Sequence, residues 1–319
     1  MTPEKLRKLV DGHWPGHVLA STARLVAAGI EERTLTAAVR SGVIVRVRRG
    51  AYVRSLVWNG LKPWERDKML VWAHYESTRG RSLYSHVSAA RLHNCQTWNA
   101  GRLIHVTTGY ANSSKGSGPD VRTHRLPLSD ADTVAWLLKD GRQIRVTSLE
   151  RTVLDCARIM PLEQAAVIGD HALHKGADPD QLRRLLDESP IKRGASRAAR
   201  LLEALDGRSE SAGETRTRLL LRSFGMQNFV PQVPLRTRQG KFRADFADPE
   251  RRIIVEFDGR GKYPDYRPAE EVLLAERSRE SALIEAGWLV LRLDWDQLAR
   301  PAELRRRLLA MIERSGRLL

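Results

Sequence analysis

The stretch that most constrains this chain is an apolar strand that runs straight into acid. Ile253, Ile254 and Val255 read as a buried strand, yet Glu256 and Asp258 follow at once with only Phe257 between them. Unpaired charge at the edge of a core is expensive. Asp245, eleven residues before Glu256, lies in a second short run of alternating apolar character, Lys241 to Phe246. Carboxylates gathered at strand ends are stable when a cation neutralises them, and a divalent ion held by hard oxygen ligands does this well. The segment 242-FRADFADPERRIIVEFDGRGKY-263 therefore predicts a Mg²⁺ (or Mn²⁺) site on Asp245, Glu256 and Asp258, suited to phosphodiester chemistry. Taken singly, Asp245 and Asp258 are explained as turn and cap residues and Glu256 as a partner of Arg243. Three together, collared by Arg243, Arg260 and Lys262, favour the site.

Charge sets the class of partner. The 319 residues suffice for two or three domains. With 29% charged and 42% hydrophobic residues, the composition is that of a globular protein. The formal net charge is +16 and the pI about 10.5, which calls for a polyanionic partner, double-stranded DNA first. The excess is uneven. Residues 1–150 hold 23 basic and 12 acidic side chains, against 31 and 26 in residues 151–319. The N-terminal half is thus the electrostatic handle. Cys95 and Cys156 are the only cysteines, so neither a disulfide framework nor a zinc-cysteine cluster is expected. No run approaches the ~20 apolar residues of a membrane span, and residues 1–14 lack a leader pattern. A cytoplasmic protein with no membrane partner is the expectation.

A multi-domain α/β organisation follows, in three parts: 1–55, 56–207 and 208–319. In the first part, residues 18–30 predict a helix stopped by Gly29. A second helix spans roughly Glu32 to Ser41, with Leu35, Ala38 and Val39 inward. Residues 43-VIVRVRRGAYV-53 predict a hairpin turning near Arg49-Gly50. Helix, turn, helix and basic hairpin is the order of a winged helix-turn-helix. Arg33, Thr34, Thr36, Ala37 and Arg40 fall on the outer face of the second helix, and Arg46, Arg48 and Arg49 on the wing, in reach of phosphates. In the middle part, helices are expected after Pro63, over 84–93 and from Ser148 to Met160, and strands over 102–108 and 142–147. His171 and His174, spaced i,i+3 beside Asp170, lack an evident third metal ligand and read as helix-surface residues.

The segments 29-GIEERTLTAAVRSGVIVRVRRGAYV-53, 85-SHVSAARLH-93 and 147-TSLERTVLDCAR-158 resemble AbiEi-type antitoxin proteins. The resemblance covers most of residues 1–200. It implies an N-terminal winged helix followed by an α/β domain, DNA binding through the basic wing, and repression of a toxin–antitoxin operon. A cognate toxin or a second copy of the chain would be the protein partner.

Residues 208–319 predict a mixed sheet flanked by helices: a helix over 214–226, strands near 230–235, 242–246 and 253–256, a helix over 269–286, a strand over 288–295 and a helix over 302–314. This order resembles the restriction-endonuclease-like PD-(D/E)XK superfamily, and more closely its very-short-patch-repair-related branch. The resemblance implies that Asp245 and Glu256 bind Mg²⁺ and that Glu214 on the preceding helix assists. The superfamily's lysine two residues after the Glu is here Asp258, either a further ligand or a loss. Lys262 stands as a substitute cation for catalysis, with Arg277 and Arg279 as other candidates. The reading is a DNA-binding protein with a metal-dependent endonuclease domain, acting in phage defence, restriction, toxin–antitoxin function or repair. The alternatives are a non-catalytic AbiEi-type repressor and an RNA-cleaving toxin.

Overall fold

A threonine cap starts the first helix. Thr2 accepts the Lys5 amide at 3.4 Å and Pro3 occupies the first turn, so α1 (Pro3–His13) forms with Leu6 and Val10 inward. The computed structural model describes residues 2–78, 80–109, 118–138, 140–259 and 270–316. Then follow β1 (Leu19–Ser21), α2 (Thr22–Ala27), α3 (Glu32–Arg40), β2 (Ile44–Arg48) and β3 (Ala51–Arg54). The sheet order is β1-β3-β2. This is the winged arrangement expected, with two differences. The helix α1 carried no strong signal in the sequence. The helix expected over 18–30 is shortened, because Leu19, Ala20 and Ser21 pair with Val53, Tyr52 and Ala51. Ser21 then caps α2 by accepting the Arg24 amide at 3.3 Å.

The chain continues through α4 (Ser55–Gly60), α5 (Pro63–Thr78), β4 (Leu83–Tyr84), α6 (His86–Leu92), β5 (Ile104–Thr108), β6 (Val121–Arg125), a 3₁₀ turn (Asp130–Asp132), β7 (Thr133–Leu137), β8 (Gln143–Thr147) and α7 (Leu149–Ile159). A five-stranded mixed sheet results, in the order β6-β5-β4-β8-β7. Pairs β5–β6 and β4–β8 are parallel, and β4–β5 and β7–β8 antiparallel. Its core gathers Val71, Tyr75, Tyr84, Ala89, Leu92, Ile104, Ile144 and Val146. Helix α5 joins this sheet to the winged helix, since Ala73 packs with Leu19, Ala51 and Val53.

Next come α8 (Leu162–His174), α9 (Pro179–Asp187), α10 (Ala195–Ala204) and α11 (Ala212–Ser223). The last stretch holds β9 (Val230–Thr237), β10 (Gly240–Asp248), β11 (Ile253–Phe257), α12 (Glu270–Glu285), β12 (Leu289–Leu293), α13 (Trp295–Leu298) and α14 (Pro301–Ser315). Two compact units form: Met1–Met160 with Ala177–Ala199, and Pro161–Gly176 with Arg200–Leu319. The boundaries drawn in sequence at 55 and 207 differ from these. Helix α8 sides with the second unit because Asp170 is fully buried there. It accepts bonds from Arg218 (2.6 Å), the Thr215 hydroxyl (2.8 Å) and the Asp206 amide (2.8 Å).

The second unit's sheet runs β12-β11-β10-β9. β10 is antiparallel to both β9 and β11, and β11 is parallel to β12. Side chains alternate along β11. Ile253 and Val255 join a core with Leu221, Phe246, Leu291, Leu304 and Leu308. Ile254 joins a different one with Leu235, Ala244, Ala247 and Leu283. Burial on both faces explains the unbroken apolar run.

Candidate functional site

The outer face of α3 is a ready surface. Leu35 and Ala38 pack with Leu6, Val10, Leu25 and Ile30. Three- and four-residue spacing then turns Arg33, Thr36, Ala37 and Arg40 to solvent, and with Ser41 they line a shallow depression. Thr34 is half-buried. Arg33 is bonded to Glu31 at the helix start. No ion pair is found for Arg40, Arg46 or Arg49 among the described residues, and all three lie at the surface.

The wing corrects one expectation. Arg48 is not presented outward with Arg46 and Arg49. A register irregularity between Arg46 and Arg48 turns its side chain inward. Its guanidinium grips Asp120 through Nε (2.7 Å) and Nη2 (3.1 Å) and also bonds Ser77. A second ion-pair group stands beside it. Arg24 reaches Asp140 (2.8 Å), and Arg142 reaches both Asp140 (2.8 Å) and Glu76 (2.6 Å). Arg24 and Arg48 therefore tie the winged helix to the elements that follow it, while Arg142 holds Asp140 and Glu76 in place there.

In the second unit, the paired strands bring Asp245 and Glu256 together. The β10–β11 register pairs Phe246 with Val255, so the next step sets Asp245 opposite Glu256 on one face. The Asp245 amide donates to Glu256 Oε1 (3.1 Å), and the Phe257 amide donates to Asp245 Oδ2 (2.8 Å). Helix α11 delivers the third carboxylate. Gly213 lets it approach β11 closely, since a Cβ there would sit 2.0 Å from the Phe257 ring. Ser211 caps the helix by accepting the Glu214 amide (3.1 Å). Glu214 Oε2 accepts from the Glu210 amide (2.9 Å) and from Gln232 Nε2 (2.9 Å).

Gln232 gave no signal in the sequence. It holds a left-handed φ of +58°, opposite Asp245 in the sheet. Such a conformation in a non-glycine residue persists only where its surroundings impose it.

Among the described residues no ion pair reaches the three carboxylates, which are held by amide donors. Burial, then the neighbouring Asp245 charge, pushes Glu256 up to about 7. Asp245 is raised chiefly by burial, and Glu214 by burial and then by Asp245. The nearest cations are committed elsewhere, Arg243 to Glu210 (2.7 Å) and Arg292 to Glu280 (3.1 Å). All-oxygen donors short of positive charge fit Mg²⁺ or Mn²⁺. Asp258 is half-buried past the end of β11, its amide donating to the Leu293 carbonyl (2.7 Å). Lys262 and Arg260 lie outside the described residues. Arg277 and Arg279 are exposed on α12. The acidic group is open: the trio of His, Cys, Asp or Glu ligand atoms that falls mutually within 4.8 Å among the described residues is elsewhere.

Residues 16–55, from just before β1 to the end of the wing, match a family described as a transcriptional regulator, the AbiEi antitoxin. Two curated proteins of Mycobacterium tuberculosis are similar to this chain. They are uncharacterized protein MT2308 of strain CDC 1551 / Oshkosh and uncharacterized protein Rv2248 of strain ATCC 25618 / H37Rv. Each is 29% identical over 167 residues, 51% of this chain and 60% of the relative. The chain thus spans about 60% of the length of the curated relatives it matches. Among solved structures, the crystal structure of RV2827C protein from Mycobacterium tuberculosis is similar with a TM-score of 0.40 and 16% identity. That likeness covers 68% of this chain and 80% of the other. No helix among the described residues is long and apolar enough to cross a membrane.

Proposed function

We propose that this protein is a transcriptional regulator that binds duplex DNA with α3 and the tip of its wing. The observation that carries this reading is the stripe Arg33, Thr36, Ala37 and Arg40, turned outward on a helix whose other face is locked in a core. It lies inside the region that matches the AbiEi antitoxin regulators. An exposed second helix of a winged fold, with short polar residues between arginines, suits major-groove entry, and Arg46 and Arg49 suit phosphate contact.

A second activity is favoured by the carboxylates of the other unit: metal-dependent phosphodiester hydrolysis of the bound nucleic acid. Asp245 and Glu256, with Glu214 beside them, would hold Mg²⁺, with Asp258 as a further ligand. When bound, the ion would polarise a phosphate and lower the pKa of a water. The chain's own part is separate. Backbone amides fix Asp245 and Glu256 in place. The order helix, three antiparallel strands, helix and parallel strand supports a restriction-endonuclease-like unit. Asp258 in place of the superfamily lysine and the openness of the acidic group favour a regulator without catalysis.

One experiment separates the readings. Supercoiled plasmid is incubated with the protein and Mg²⁺ or Mn²⁺, and binding and nicking are scored on gels. Arg33→Ala/Arg40→Ala is expected to lose binding. Asp245→Ala/Glu256→Ala is expected to bind but not nick. Binding by wild type without metal-dependent nicking leaves the regulator alone. Wild type that binds no duplex, or binds RNA in preference, overturns the first reading.

A further inference from the structure

We propose that His86, His105 and His124 form a binding site for a divalent transition metal, Zn²⁺ or an ion of like ligand preference. Each offers one ring nitrogen, and the three atoms lie within 4.8 Å of one another. The sheet gathers residues far apart in sequence. His105 and Thr107 share a face of β5, and the parallel register sets His124 of β6 beside Thr107. Helix α6 covers that face, with Ser88 Oγ accepting the His105 amide at 2.8 Å. His86 is thereby brought down onto both rings.

The surroundings resemble a ligand set more than a packed core. His86 and His105 are buried and His124 half-buried. His86 holds a left-handed φ of +50°, a strained backbone for a buried side chain. His105 Nδ1 and His124 Nε2 face each other at 3.0 Å, so one proton is shared between two lone pairs. Ligand nitrogens about 2.0–2.1 Å from a tetrahedral Zn²⁺ stand roughly 3.3 Å apart, and the ion would take the place of that proton, which moves to the other nitrogen of its own ring. His86 Nδ1 bonds Ser85 Oγ (2.9 Å), which also accepts the Thr107 hydroxyl (2.7 Å). Such a bond fixes the ring and leaves Nε2 as donor, the usual support for a ligating imidazole. Burial holds all three rings below the ordinary histidine range, so they are neutral ligands at pH 7. Nearby Arg151 is compensated by Asp132 (3.2 Å) and Asp155 (2.9 Å), and Arg122 is exposed. Closing on an ion requires the His86–His124 stack, with centroids 3.6 Å apart, to tilt open. His124, half-buried on β6, is the ring that would move.

Three neutral nitrogens with no thiolate or carboxylate select Zn²⁺, Co²⁺, Ni²⁺ or Cu²⁺ over Mg²⁺ or Ca²⁺. A fourth position stays open. The assignment is independent of the DNA reading.

The full-length protein, stripped with chelator, is titrated with Zn²⁺ and with Co²⁺ by calorimetry. One ion per chain is expected. His124→Gln is chosen because its ring is the least buried, and it should weaken binding by about a hundredfold. His171→Gln/His174→Gln should bind as wild type. Should His124→Gln fail to fold, imidazole ¹⁵N spectra of the wild-type protein answer instead: Zn²⁺ should shift His86, His105 and His124 and leave His171 and His174 in place. No binding, undiminished binding by a folded His124→Gln, or shifts confined to other histidines overturns the site.

Discussion

At the residue scale, two side chains behave against their simplest reading, and each carries a prediction. Glu256 is a carboxylate raised to about 7 by burial and by Asp245. Its folded form binds a proton that the unfolded chain releases near its ordinary value, so stability falls as pH rises between about 4.5 and 7. We expect chemical denaturation of metal-free protein to show up to about 3 kcal/mol of such loss, accumulating at no more than about 1.4 kcal/mol for each pH unit crossed. Glu256→Gln should flatten the dependence, and Mg²⁺ at pH 8 should restore stability to wild type alone. A wild-type profile as flat as the variant's would contradict the buried acidic cluster. Arg48 is the other case. In the sequence it is indistinguishable from Arg46 and Arg49, because charge and alternation do not record a register irregularity. Since Asp120 binds it and both groups are partly exposed, Arg48→Ala should cost only about 1 kcal/mol of stability. It should leave DNA affinity near wild type, while Arg46→Ala lowers affinity and reduces the salt slope by about one. Equal losses of affinity in the two variants would contradict the assignment.

At the element scale, contact between helix and strand decides whether the acidic cluster exists. Gly213 sits where a Cβ would meet the Phe257 ring at 2.0 Å. Gly213→Ala should therefore destabilise the second unit by about 1–3 kcal/mol and displace Glu214, seen as a shift in its carboxyl titration by NMR. An unperturbed variant would mean that α11 does not pack as described. Asp170→Ala strands the buried Arg218 guanidinium and should cost about 3–5 kcal/mol in a denaturant titration. Elements with strong local signals were legible. The strand Ile253–Phe257 announced itself by its apolar run, and α3 by Leu35 and Ala38 at helical spacing. Strand β1 was not, because three residues paired to β3 carry no period of their own. Nor was the role of α8, since Asp170 finds Arg218 only after folding. Asp245 and Glu256 were legible as a pair because hairpin-linked strands converge. Gln232 and the three histidines were not, because a positive φ and a parallel register leave no mark in spacing.

At the scale of the whole molecule, the excess of positive charge in residues 1–150 is divided between two tasks. Arg24, Arg48 and Arg142 are consumed by Glu76, Asp120 and Asp140 within the first unit. Arg33, Arg40, Arg46 and Arg49 remain at the surface. Counting charge points to a polyanionic partner but does not say which arginines would meet it. The central claim is that the exposed face of α3 reads duplex DNA, whatever the second unit does. Its most direct test is a fluorescence-anisotropy titration of labelled duplex DNA over a range of salt, comparing wild type with Arg33→Ala/Arg40→Ala and Asp245→Ala/Glu256→Ala. We expect log affinity to fall steeply with log salt for wild type. The arginine variant should bind at least about tenfold more weakly with a shallower slope, and the carboxylate variant should follow wild type. An arginine variant that matches wild type in both affinity and slope would contradict the account.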